Sequence, residues 1–216
     1  LSFKIMEKVR KGKGLDPEDE EAMKACGVPQ WYISSCKKIK YMFPKAHAAA
    51  YVMMAFRIAY FKVYHPEAFY ATYFTVRAED FDYTLMCKGP NRVKSIIKEL
   101  EEKGNDLTTK EKGTLTVLEI VLEMYARGLT FTSIDLYQSD ALKFKITKGG
   151  LLPPLNALQG LGNTAACSIV EARNQKEFLS IEDLRERTRI SRTVIEIMKE
   201  NNMLSGMPET SQLSLF

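Results

Sequence analysis

Between residues 155 and 169 the chain reads Leu155-x-x-Leu158-x-Gly160-Leu161-Gly162-x-x-x-Ala166-x-x-Ile169, a pattern that leaves the backbone little choice. Leu155 and Leu158 place two apolar groups at the end of one helix. Gly160 and Gly162 permit positive φ and a close backbone approach in a tight hairpin. Small Ala166, with Ile169, opens the next helix. This is the spacing of a helix-hairpin-helix. Its amides stand at a helix N-terminus, where free N–H groups and the helix dipole favour a phosphate. Gly160, Leu161, Gly162 and Asn163 are therefore the candidate contacts to a DNA backbone. An ordinary packing corner between two helices has the same spacing.

Phe178 to Leu204 reads as a second, degenerate hairpin. Ser180 and Ser191 are N-cap residues, and Arg185, Arg187, Arg189 and Arg192 crowd the turn between them. Arg189 and Arg192 are its candidate backbone contacts. A solvated charged turn is the alternative.

The rest of the chain reads mainly as helix. Asp16-Pro17-Glu18-Asp19 gives an N-cap, a first-turn proline and first-turn acids. Helices are expected over about 3–10, 17–27, 30–40, 45–64, 66–77, 91–103 and 109–126. The long apolar one from Lys45 is closed by His65-Pro66. Periodicity lapses from Ala78 to Gly89, which marks a domain boundary. Leu129 to Thr147 carries β-branched and aromatic residues for one or two short strands. Gly149-Gly150 and Pro153-Pro154 then break the chain before a helical module over about 151–204. An extended tail follows over 206–216.

The net charge of +4 on 216 residues implies no polyanion by itself. Its distribution says more. Residues 1–60 carry 11 basic and 6 acidic groups, whereas 61–160 balance at 13 each. The excess sits at the N-terminal end, where it can serve a polyanion. There, Arg10-Lys11-Gly12-Lys13-Gly14 resembles a phosphate-facing loop but lacks the Walker A pattern. Lys45 opposes the dipole of the helix it opens, and His47 lies in the same first turn. A solvated face and a structural histidine are the alternatives. Asp80-Phe81-Asp82 places no third carboxylate and reads as a cap and a surface charge, not a two-metal site.

Four separated cysteines and two histidines offer no zinc spacing. Reduced thiols in a cytosolic protein follow, and no signal peptide or membrane helix is read. The chain opens on Leu1 rather than Met, as expected of a piece of something larger. Gln212-Leu213-Ser214-Leu215-Phe216 ends it with a polar anchor and apolar side chains, a pattern suited to docking in a groove.

Together these residues resemble the C-terminal portion of the PolC-type DNA polymerase III alpha subunit, essentially end to end. The runs that carry the resemblance are 5–15, 41–52 (Tyr41-Met42-Phe43-Pro44-Lys45-Ala46-His47-Ala48-Ala49-Ala50-Tyr51-Val52), 57–63, Asp135-Leu136-Tyr137-x-Ser139-Asp140, the glycine hairpin, and the terminal five residues. The resemblance implies a mainly α chain with three parts. Residues 1–78 would be the end of the polymerase fingers, with Arg10, Lys11, Lys13, Lys45 and His47 near nucleotide and template. Residues 79–205 would be a duplex-binding domain with tandem hairpins. Residues 206–216 would be a flexible tail that binds the sliding clamp through Gln212, Leu213, Leu215 and Phe216. It implies as partners duplex DNA and primer-template, deoxynucleoside triphosphates, the clamp and the rest of a cytoplasmic replisome. The Mg²⁺-binding palm, the PHP domain and the exonuclease would lie upstream, so the fragment alone would bind no metal and be inactive. Two other readings are a stand-alone hairpin module that binds DNA without chemistry and the other bacterial alpha subunit type.

Overall fold

The computed structural model describes residues 1–210 and is mainly helical, with one two-stranded antiparallel sheet. It contains two compact units, one over Leu1–Ala59 and the other from Tyr60 onward.

The first unit is built on α1 (Ser2–Arg10), α2 (Pro17–Ala25) and α3 (Gln30–Lys38). Ile5 and Val9, one turn apart, meet Met23, Ile33 and Cys36 in a small core. Helix α2 starts where the sequence expects it, and the Asp16 amide donates to the Asp19 carboxylate at 3.4 Å. The loop after α1 is held against the segment that follows α3. Met42 donates its amide to the Arg10 carbonyl at 3.0 Å. Gly12 has φ +71°, and a Cβ there would lie 1.6 Å from the Lys40 carbonyl oxygen. Only glycine fits. Helix α4 (Lys45–Tyr64) buries none of its residues; Tyr51, Met53, Phe56 and Ile58 are all more than half exposed.

The second unit carries the larger core. Helix α5 (Pro66–Val76) places Tyr70 and Phe74 at its centre. A 3-10 turn (Ala78–Asp80), the short α6 (Tyr83–Met86), α7 (Pro90–Glu102) and α8 (Thr109–Ala126) follow. Phe74 packs its ring against Phe81, Phe131 and Phe144 at centroid distances of 5.3, 5.5 and 5.6 Å. Phe81, Tyr83 and Met86 are buried, so the stretch 78–89, where the sequence places a boundary, is part of this core. By compactness the chain divides instead between Ala59 and Tyr60, within α4. Periodicity lapses at 78–89 because the stretch is two short turns whose apolar residues point inward without a helical repeat.

The strands are β1 (Lys145–Thr147) and β2 (Gly150–Leu152), paired Lys145 to Leu152 and Thr147 to Gly150. One lies within the expected region. The other begins at Gly150, within the Gly149-Gly150 break that the sequence reads. Gly150 serves as a close approach there: it has φ +133°, and a Cβ would meet the Thr130 carbonyl oxygen at 2.3 Å. Its neighbour Leu151 donates its amide to that same carbonyl.

Helices α9 (Asn163–Gln175), α10 (Ile181–Thr188) and α11 (Arg192–Glu200) complete the unit. The base of the tail is fastened rather than free. Ile181 and Glu182, the first residues of α10, donate their amides to the carbonyls of Pro208 and Glu209 at 2.9 and 3.0 Å. Lys199 pairs with the Glu209 carboxylate at 2.9 Å. Among the described residues, no helix is long and apolar enough to cross a membrane.

Candidate nucleic-acid interface

The first hairpin forms with one difference from expectation. Only a 3-10 turn, Leu155–Ala157, precedes it, not a full helix. Pro153-Pro154 on one side and Gly160 on the other leave room for a single turn. Leu158 then leaves it extended, Gly160 turns with φ +86°, and Leu161 is buried at 2% exposure. Gly162 is the N-cap of α9, with φ −69° and ψ 165°.

The two glycines differ in kind. Gly160 needs its positive φ, and a Cβ on it would stand 2.9 Å from Ile197 Cδ1 of α11. Gly162 has ordinary backbone angles and open space where a Cβ would go. Nothing in the fold requires glycine there. The bare position leaves the first amides of α9, beginning at Asn163, open to an approaching group. Asn163 itself is exposed, and its side-chain oxygen accepts from Asn156 Nδ2 at 3.0 Å.

The second turn repeats the first. Arg189 takes the left-handed conformation at φ +56°, Ile190 is buried at 6% exposure, and Ser191 is an extended N-cap at φ −72°, ψ 160°. Ser191 Oγ accepts from the Val194 amide at 3.3 Å. Arg189-Ile190-Ser191 is thus the conformational counterpart of Gly160-Leu161-Gly162. The sequence hides this, since an arginine and a serine stand for two glycines. Only the serine cap is legible in it. Asn202, with φ +58°, instead lies just past α11 and plays no part in this turn.

The arginines of the second turn divide into two groups. Arg189 and Arg192 are exposed. Arg187 is a structural clasp: its guanidinium donates to the carbonyls of Ala172, Lys176 and Glu177, pairs with Asp183, and lies 4.7 Å from the Phe178 ring centroid. It closes the C-terminal end of α9 against α10. Ser168 Oγ donates to the Thr188 carbonyl at 3.1 Å, which joins the two hairpins further.

In the first unit, Arg10 donates to both oxygens of Glu7 at 2.8 and 3.0 Å, and Lys11 pairs with the same carboxylate at 3.2 Å. These cations hold the Glu7 carboxyl at about 2, well below its ordinary value. Lys13 and Lys45 are exposed and enter none of the ion pairs among the described residues. The Arg10–Met42 contact brings the loop to the start of α4, because three residues from Met42 to Lys45 span at most about 11 Å. His47 is flanked by the rings of Phe43 and Tyr51 at 5.2 and 4.4 Å. Gln212, Leu213, Leu215 and Phe216 lie outside the described residues.

The carboxylates most suggestive of a metal do not fit Mg²⁺. Asp82 caps α6 by accepting the amides of Thr84 and Leu85 at 2.8 and 3.3 Å, and Asp80 pairs with Arg77 at 2.9 Å. Among the described residues no cluster of three or more His, Cys, Asp or Glu is placed to hold a metal.

Comparison with known proteins agrees with this geometry. The helix-hairpin-helix motif family matches residues 128–212. Over the whole chain, a protein of Caldanaerobacter subterraneus subsp. tengcongensis is 64% identical, one of Clostridium perfringens 62%, and one of Bacillus subtilis 56%. Each is a DNA polymerase III of PolC type. This chain is homologous to PolC. The match takes in the whole of this chain but only 15% of each relative's length, and it corresponds to a C-terminal portion. The resemblance read from the residues is therefore shown over the whole of this chain.

Proposed function

We propose that this chain is the part of a replicative DNA polymerase that holds the duplex product by its backbone. The observation that carries this reading is the repeated turn: two left-handed residues, Gly160 and Arg189, each followed by a buried apolar residue and an extended N-cap that opens a helix. Each presents free amides at a helix N-terminus, a geometry that suits phosphate and carries no base readout. Gly162, which the fold does not need, gives a ligand's backbone room to approach, and Arg189 and Arg192 add positive charge at the second turn.

In this reading the functional division stays at 1–78, 79–205 and 206–216, as fingers end, duplex-binding domain and clamp-binding tail. Arg10, Lys11, Lys13, Lys45 and His47 serve template and incoming deoxynucleoside triphosphate. Their clustering across the Arg10–Met42 contact supports a common anion. Gln212, Leu213, Leu215 and Phe216 dock on the sliding clamp, and the enzyme works in the cytoplasmic replisome. Phosphoryl transfer belongs to metal-binding carboxylates elsewhere in the polymerase, which leaves this part to position and neutralise.

The test is duplex affinity of the polymerase containing this chain, measured by fluorescence anisotropy on several unrelated sequences. Replacing Arg189 and Arg192 by Gln should weaken binding equally on all of them. It should also make the plot of log affinity against log salt shallower by about 0.9 for each phosphate that is no longer neutralised. Weakening confined to one sequence would refute a backbone-only role.

A further inference from the structure

The thirty residues from Ala141 to Val170 contain no aspartate or glutamate, between Asp140 and Glu171. This acid-free stretch holds the β1–β2 ribbon, the 3-10 turn, the first hairpin and the opening turns of α9. Its cations are all on or beside the ribbon: Lys143, Lys145 and Lys148. All three are exposed and enter none of the ion pairs among the described residues. The neighbouring acid, Asp140, is turned onto the backbone, where one oxygen accepts the amides of Leu142 and Lys143 at 3.0 and 3.1 Å. Between the lysines stands Ile146, an aliphatic side chain 55% exposed on an otherwise cationic element.

The ribbon is also rigidly rooted. Phe144 and Leu151 belong to the unit's core. Phe144 donates its amide to Thr75 Oγ1 at 3.1 Å, and Thr132 donates its amide to the Leu151 carbonyl at 2.9 Å. Lys145 Nζ is already oriented by the Gln138 carbonyl at 2.9 Å. A rigid mount lowers the entropy cost of fixing the lysines on a ligand.

We infer that the β1–β2 ribbon is a second duplex-binding element, separate from the hairpins, which enters a groove. Lys143, just before β1, and Lys145 on the same face, with Lys148 at the turn, meet backbone phosphates, and Ile146 on the opposite face lies against the sugars. The ligand must be a polyanion, since three exposed lysines fall within six residues, with Asp140 as their neighbouring acid, and Lys143 and Lys145, as alternate residues leading into a strand, stand about 6.6 Å apart. Duplex DNA suits it because the acid-free stretch runs without interruption from the ribbon into the Gly160 hairpin. The inference rests on the duplex reading of that hairpin.

The experiment compares the whole polymerase with its K143Q/K145Q/K148Q and G162A forms, each titrated with a mixed-sequence duplex from 50 to 200 mM salt. With two to three phosphates no longer neutralised, the salt slope of the triple variant should be shallower by about 2–3. Affinity should fall on every sequence, and K143R/K145R/K148R should restore it. A photocrosslinker at residue 146 of the otherwise unchanged protein should yield a DNA adduct, a readout independent of the lysine variants' folding. If G162A weakens binding while the triple Gln variant keeps slope and affinity and residue 146 yields no adduct, the ribbon inference falls and the hairpin reading stands. If none of the three responds, both fall. A shallower slope and a 146 adduct with an inert Gly162 would keep the ribbon and overturn the hairpin.

Discussion

At Gly160 and Gly162 a two-letter motif separates into two physical roles. Gly160 is structural: its φ of +86° favours glycine whether or not a ligand is present, and the end of the Ile197 side chain, 2.9 Å from where a Cβ would lie, would have to shift. A Cβ at positive φ and under compression costs on the order of 1–3 kcal/mol, so Gly160→Ala should lower the thermal midpoint and duplex affinity together. At Gly162, φ of −69° is ordinary for alanine and the Cβ site is empty. The gain from a less flexible unfolded chain, about 0.4–1 kcal/mol, roughly offsets a poorer N-cap. Gly162→Ala should therefore leave the thermal midpoint within a few degrees while weakening duplex binding. A variant that unfolds and releases DNA in parallel would make Gly162 structural too. The motif is legible in the sequence, but this distinction is not, because a glycine's neighbours in space are not its neighbours in the chain.

Helix ends are the elements' most sequence-determined parts, and one of them has a defined acid dependence. Thr108 and Glu111 form a reciprocal cap at the start of α8, with the Thr108 amide donating to Glu111 at 2.9 Å and Lys103 pairing with it at 2.5 Å. The Lys103 contact, followed by those with Thr108, holds the Glu111 carboxyl at about 2, below its ordinary 4.5. A carboxylate depressed in the folded state stabilises fully above its unfolded value and gives up that contribution as pH falls toward the folded one. The contribution should thus be intact above about pH 4.5 and gone near pH 2. Acid unfolding followed by circular dichroism should show Glu111→Gln losing part of the stability difference between pH 5 and pH 2. An unchanged difference would mean that the cap carries no weight. Helix α10 is capped from farther away. Truncation after Gly206 removes the carbonyls that accept from Ile181 and Glu182 and the partner of Lys199. With about 1 kcal/mol typical for each hydrogen bond, the truncated protein should melt several degrees lower. An equal melting point would show that water replaces the strap at no cost.

For the molecule as a whole, the strap fixes Pro208 and Glu209 to α10. Deleting Gln212 to Phe216 from the polymerase leaves that strap and both hairpins in place. Two apolar side chains, Leu215 and Phe216, contribute roughly 3–6 kcal/mol on burial before ordering costs, less than the about 8 kcal/mol of a micromolar complex, which makes the contact weak and releasable. The deletion should preserve synthesis on short primers and abolish stimulation by the sliding clamp. Full processivity with the clamp would overturn the tail's assignment.

Local rules determine much of the fold: Asp16-Pro17, Ser180 and Ser191 start helices by hydrogen bonds to residues a few positions away, and His65-Pro66 ends one by sterics. Those forces act within a turn, so the chain's order alone determines them. Asp82, too, reads as a cap and is one. Tertiary structure decided what depends on distant neighbours. It shortened the helix before Gly160 to a single turn and paired β2 with β1 across Lys148-Gly149. It drew 78–89 into a core and turned Arg187 inward to the carbonyls of α9. It also matched Arg189-Ile190-Ser191 to Gly160-Leu161-Gly162, a likeness of backbone that residue types conceal. Helix α4 shows the same limit from the other side. A mostly apolar helix reads as a largely buried one, yet none of its residues is buried among the described residues, because burial depends on what surrounds a helix and hydropathy records only the helix itself.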